Sequence, residues 1–372
     1  MTTSPSPPDW QRLAPHRPLD AGADEYVNRP TDGGEAIAKW VLAGGSTVLI
    51  GGPTGVGKST ELANAALRLQ SERIACLIQV DRLTNVRRLT ADELLQLIGG
   101  RVFAFAVEQG HFSSTHRLAS NFSPTKSPTG ADGFRASSPT VTRLLLDELR
   151  LRAEFVAMRD SSRQSRVTVL VDGLEKVSPG VTADEIFDAL GGLPLNVDLV
   201  VVVPWHAAFG SRGDTVLRQG ERFVAIRPLD TEGPQAVAAA DFLGRMMAAR
   251  VRAGDLPSEI QGLLGRAFTG SGGVPRAFLQ IVADAATYAR VKRGADWPDE
   301  SDLTDALNDQ RESLRRLLTP GDAAAIKRAV GTDGSELEPE RKIRLLANGV
   351  LLERFGSDGP HLEMHPLMPL AA

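Results

Sequence analysis

Residues 47–61 read TVLIGGPTGVGKSTE. Thr47–Ile50 is a compact apolar run bounded by glycines, which predicts a buried strand. Beyond the glycines, Leu62, Ala65, Ala66 and Leu69 recur at helical spacing. The glycine-rich stretch therefore joins a strand to a helix. Gly52, Gly57, Lys58 and Ser59 satisfy the spacing G-x-x-x-x-G-K-[ST], a phosphate-binding loop. Each residue type has a physical task. Glycines allow left-handed turns that aim successive backbone N–H groups inward at an anion. The start of the helix adds its positive dipole end. Lys58 reaches the β- and γ-phosphates, and Ser59 offers a hydroxyl to Mg²⁺. The expected nucleotide contacts are thus Gly52, Pro53, Thr54, Gly55, Val56, Gly57, Lys58, Ser59 and Thr60.

Such a loop needs a carboxylate at the tip of a neighbouring strand. VTVLVDGLEKV, residues 167–177, supplies one. Asp172 closes the apolar run and is the expected Mg²⁺-side carboxylate, a turn or helix-cap residue being the alternative. Glu175 follows three residues later. It is the choice for polarising the attacking water, against a solvated turn charge. Lys58, Asp172 and Glu175 are the expected catalytic residues, and Ser59 and Asp172 the expected metal ligands.

Working outward, IACLIQV (74–80), DLVVVV (198–203) and RFVAI (222–226) are further runs of buried-strand type. Five such strands alternating with helical segments predict an α/β fold, a doubly wound parallel sheet. Val141–Met158 is helical by period. Residues 1–22 are rich in Pro and Ser, which predicts a disordered tail. The core is expected over 23–230, with a flexible Ser/Thr/Pro/Gly-rich insertion at about 110–139, a functional loop or merely a tolerated one. Past Asp230 the strands stop. About four amphipathic helices predict an α-helical lid over 231–318. A helix near 341–346 and a hairpin pattern around SDGP predict a small winged-helix-like domain over 319–372.

The 372 residues carry a formal net charge of −4, so the chain as a whole lacks the basic footprint of a nonspecific nucleic-acid binder. No apolar run approaches the roughly 20 residues of a membrane-spanning helix, and no membrane partner is expected. One cysteine, Cys76, excludes an internal disulfide and suits the cytoplasm, as does the lack of an export signal at the start. Cys76 reads as core packing. His361 and His365 fall in the hairpin without a third ligand nearby, so no metal is expected there.

YVNRPTDGGEAIAKWVLAGGSTVLIGGPTGVGKST (26–60), followed by VLVDGLEKV (169–177), resembles the AAA+/STAND group of P-loop ATPases. The DGLE form is closer to STAND proteins than to the usual AAA+ Asp-Glu pair. The resemblance implies ATP or ADP with Mg²⁺ as ligands and slow or partner-stimulated hydrolysis to ADP and phosphate. It marks Tyr26, Val27 and Arg29 as base-side residues. SGGVPRAFL (271–279) resembles the lid motif in which Gly273 and Pro275 turn near the base and Arg276 approaches the γ-phosphate, although a helix start needs such a turn anyway. The sequence departs from the family at its polar sensor, where Pro204 and Trp205 occupy the region and His206 is the first polar side chain. Arg218 and Arg222 lie where arginine fingers occur. The resemblance implies a switch acting through self-association or a separate effector protein, in bacterial signalling or phage defence by analogy. A DNA-handling ATPase of the initiator or transposition-regulator type is the alternative, and the slightly acidic tail argues against it.

Overall fold

In the computed structural model the described residues are 8–13, 15, 19–20, 22–31, 33–44, 47–126, 132–159, 166–177, 181–194, 197–204, 222–252, 256–356 and 359–368. They form two compact units, one of Gly34–Gly51 and Ser59–Ala225, the other of Met1–Gly33, Gly52–Lys58 and Ile226–Ala372. Among the described residues no helix is long and apolar enough to cross a membrane.

The first unit is built on strands β1 (Thr47–Gly51), β2 (Ile74–Gln79), β5 (Val167–Asp172), β6 (Val197–Val202) and β7 (Arg222–Ala225). All pair in parallel, in the order β2-β5-β6-β1-β7. β5 and β6 are buried along their whole length, which is why they read as unbroken β-branched runs. One expectation changes. The strand carrying Asp172 is not a neighbour of β1, because β6 lies between them. Adjacency was inferred from chemistry, and only pairing partners, which a sequence does not display, decide it.

Helices α1 (Gly34–Leu42), α2 (Lys58–Leu69), α3 (Val80–Leu83), α4 (Ala91–Glu108), α5 (Pro139–Arg159) and α6 (Val181–Gly191) accompany the sheet. Thr90 and Glu93 form a capping box at the start of α4, each side chain bonding the other's backbone N–H. The stretch expected as a flexible insertion holds an ordered hairpin, β3 (Phe122–Lys126) with β4 (Asp132–Ala136). The Phe122 ring stacks on Phe103 of α4 at 4.3 Å, and Phe134 meets the same ring edge-on at 5.7 Å. α4 admits the hairpin through Gly100, where any Cβ would overlap the Phe134 carbonyl oxygen. Two aromatic anchors thus outweigh a Ser/Pro-rich composition.

In the second unit, α7 (Ala236–Val251), α8 (Ser258–Gly270), α9 (Pro275–Arg293) and α10 (Glu300–Arg315) share a core of Phe242, Leu243, Met247, Ile260, Phe278 and Ile281. α11 (Asp322–Ala329), α12 (Pro339–Ala347) and the antiparallel hairpin β8 (Leu351–Gly356) and β9 (Gly359–Met364) follow. The buried Arg354 ties this hairpin down, donating to the carbonyls of Leu229 at 2.7 Å and Gly272 at 2.9 Å.

The expected disordered tail is corrected at its middle. Trp10–Leu13 is a 3-10 turn whose Leu13 is fully buried in the same helical core. Trp10 packs edge-on against Trp297, its Nε1 donates to the Asp296 carbonyl at 2.7 Å, and Arg250 donates to the Leu13 carbonyl at 3.0 Å. Composition over 1–22 suggests disorder, but two apolar side chains suffice to anchor the turn.

Candidate nucleotide site

The loop from Gly52 to Lys58 packs with the helical unit. Gly55 (φ 88°) and Gly57 (φ 103°) take the left-handed backbone that turns amides inward. A Cβ on Gly55 would stand 2.8 Å from the Arg276 Cβ, so the loop and the start of α9 touch through a residue that must lack a side chain. The Arg276 N–H donates to the Gly55 carbonyl at 3.1 Å, and the Thr54 N–H to the Ala347 carbonyl at 3.3 Å. Pro275 is the first residue of α9, where its missing N–H costs nothing. Lys58 is buried, and its Nζ donates to the carbonyls of Gly52 at 2.8 Å and Pro53 at 2.9 Å. The ammonium thus closes the loop on itself and is held at its mouth.

The base-side expectations fall on residues with defined partners. Arg29 is buried, with Nη1 donating to the Val56 carbonyl at 2.6 Å and Nη2 to the Arg227 carbonyl. Val27 packs against the helical core, and the Tyr26 N–H caps a turn on the Ala23 carbonyl at 2.9 Å. Sequence reading missed the bracing of the loop by Arg29, since nothing in NRP signals a backbone partner 27 residues on.

In the sheet unit, Ser59 and Thr60 continue α2, and Asp172 ends β5 opposite Gln79. The Asp172 carboxylate is 3% exposed and hydrogen-bonded to Ser59, yet its Oδ1 has no partner. Burial, then the charges of Glu175 and Asp81, push its pKa up to about 6, against the pull of Ser59 and the Gly173 N–H. Glu175 sits on the 3-10 turn Leu174–Lys176 and also keeps a buried, unpartnered oxygen, Oε2. Two orphaned carboxylate oxygens beside a serine hydroxyl are what a hard cation relieves, so these residues fit Mg²⁺. Among the described residues no cluster of three or more metal-ligating side chains exists. Mg²⁺ accepts that, because it keeps waters and substrate phosphates as ligands.

Asp81 and Glu61 escaped the sequence reading. Asp81 packs against Gly173 and pairs with Lys176. Glu61 is buried on α2 and accepts from the Gly34 N–H at 2.7 Å, joining the starts of α1 and α2; a charge on the apolar side of a helix was the available signal. Arg222 lies 3.7 Å over the Trp40 ring, engaged within its own unit. Trp205, His206 and Arg218 lie outside the described residues.

A likeness to a solved structure now bears on the fold. The Walker-type ATPase of Pyrococcus abyssi superposes with a TM-score of 0.55 at 15% identity, over 94% of this chain and 97% of that one. The fold is that of the P-loop NTPases. The Orc1 protein of Aeropyrum pernix, solved in complex with DNA, matches at TM-score 0.44 and 15% identity over 96% and 93% of the two chains. RuvB of Thermotoga maritima matches at 0.39 and 13% over 89% and 88%. No family model and no curated protein matches the sequence.

Proposed function

We propose that this P-loop NTPase fold serves a Mg²⁺-dependent switch of the AAA+/STAND type, which binds ATP and hydrolyses it slowly. The observation carrying this reading is the phosphate loop itself, closed by Lys58 on the carbonyls of Gly52 and Pro53. ATP lays its phosphates in the loop, where backbone N–H groups and the Lys58 ammonium offset their charge. Ser59 and Asp172 hold Mg²⁺, which when bound neutralises phosphate oxygens. Glu175 orients a water and accepts its proton as the water oxygen bonds to the γ-phosphorus and the bond to the β–γ bridging oxygen breaks. ADP and phosphate leave.

The switch reading draws support from the Arg276–Gly55 backbone bond, through which the lid senses any shift of the loop. Output passes to copies of the chain or to a separate effector protein. Calorimetry with ATP and ADP, with and without Mg²⁺, tests the reading. Binding in the micromolar range is expected for the wild type and none for Lys58→Ala. Equal heats from both proteins would remove it.

A further inference from the structure

Five of the eleven large apolar side chains that the described residues leave exposed lie on α5: Leu144, Leu151, Phe155, Val156 and Met158. The other side of α5 is already spent. Val141, Leu145, Leu146, Leu149 and Ala153 are buried within their own unit. A helix apolar on both sides is ordinarily covered on both. Val156 lines a cavity of about 850 Å³ beside Ile74 and His111, whose wall Leu151 and Phe155 share, and it falls outside the seven-residue spacing of the rest. The remaining four make one stripe. Leu144, Leu151 and Met158 recur every seven residues, and Phe155 follows Leu151 by four, the spacing of a coiled-coil seam. Glu148 holds the one polar seam position. It is drawn off by His116 and Arg117, each at 2.9 Å.

The flanking charges say what covers the stripe. One edge carries Asp147 and Glu154, the other Arg152 and Arg159. All four are at least one-third exposed, and each has a partner within its own unit that pairing would exchange: Arg150 lies 3.9 Å from Asp147 and donates to both Glu154 oxygens at 2.9 Å, Arg152 donates to the His111 carbonyl at 2.8 Å, and Arg159 lies 4.2 Å over the Phe155 ring. In a parallel pair of such helices, the residue on the first edge meets the residue five further on across the seam. Asp147 then meets Arg152 of the second copy, and Glu154 meets Arg159. An antiparallel pair would set acid against acid and arginine against arginine. The stripe complements itself in one direction only.

We propose that α5 is a self-association surface, on which a second copy of this chain lays its own α5 in parallel, Leu151 and Phe155 at the centre. The stripe spans about 21 Å of helix, fewer turns than the three heptads of a free-standing coiled coil. The dimer is therefore weak and reversible, as a switch requires. This deepens the self-association in the proposed function by naming its surface, and it stands whether or not nucleotide binds.

Sedimentation velocity of the full chain, from about 5 to 100 μM, reads the pairing. The wild type is expected to show a concentration-dependent monomer–dimer equilibrium. Leu151→Glu and Phe155→Glu should each weaken it at least tenfold with unchanged circular dichroism, since both side chains are exposed. E154R alone and R159E alone should also weaken it, whereas an equal mixture of the two, or E154R/R159E in one chain, restores it. A wild type that stays monomeric at 100 μM in ATP and in ADP overturns the proposal. So does a Leu151→Glu variant that pairs as the wild type does, or a charge swap that fails to restore pairing. Nucleotide calorimetry on the same samples keeps this result separate from that of the ATPase reading.

Discussion

Arg29 Nη1 donates to the carbonyl of Val56 at 2.6 Å, and its second nitrogen to that of Arg227, so one guanidinium pins the phosphate loop to the strand exit that follows β7. A hydrogen bond from a charged group is worth about 1.5–3 kcal/mol. Arg29→Ala is expected to weaken ATP and GTP binding alike, on the order of tenfold or more. Lysine cannot span both carbonyls and should fall between. Competition assays with the two nucleotides check this. Loss confined to ATP would instead make Arg29 a reader of the base.

Asp172 gives a pH dependence whose sign can be worked out. Its folded pKa is raised from 3.8 to about 6. The folded state therefore holds the proton more tightly than the unfolded state. The stabilisation from this group is full below pH 4 and is lost as pH rises through 6. Without nucleotide, Asp172→Asn is expected to raise the melting temperature at pH 7.5, by an amount worth on the order of 2–3 kcal/mol. The same variant should lose Mg²⁺ dependence. In the wild type, Mg²⁺–ATP affinity should climb between pH 5 and 7 as the carboxyl gives up its proton. Flat affinity across that range would dismiss Asp172 as the metal-side ligand.

Glu175→Gln separates binding from turnover. The substitution keeps the shape of the side chain and removes the base. Phosphate release should fall by about 10²–10⁴-fold, with the ATP dissociation constant unchanged. Single-turnover measurements with excess protein are the readout. An unchanged rate would return Glu175 to an ordinary turn residue.

Leu13 tests the N-terminal turn. It is fully buried in the helical core, so Leu13→Ala is expected to cost about 2–5 kcal/mol. Thermal or urea unfolding followed by circular dichroism would show it. A cost below about 0.5 kcal/mol would mean that the turn does not hold in solution.

How much of this was legible depended on where the information sits. β5 and β6 are covered on both faces, so their β-branched runs announce themselves. The phosphate loop is equally plain, because Gly52, Gly57, Lys58 and Ser59 are local in sequence. What the chain hides is its partners. The placing of β6 beside β1 depends on contacts more than a hundred residues apart. The β3–β4 hairpin was masked by Ser, Thr and Pro at positions facing water, while Phe122 and Phe134 carried the packing. The backbone acceptor of Arg29 and the backbone donor to Glu61 lie 27 residues away in each case, beyond what a local pattern displays.

The phosphate loop groups with one unit, whereas the strand before it and the residues from Ser59 onward group with the other. A fragment cut at Ala225 would retain every residue of the sequence motif. It would nevertheless lose Arg227, Arg276 and Ala347, whose backbone groups bond Arg29, Gly55 and Thr54. Such an excised piece is expected to carry an intact signature and a slack cradle, so minimal versions of this protein must keep both ends of the chain.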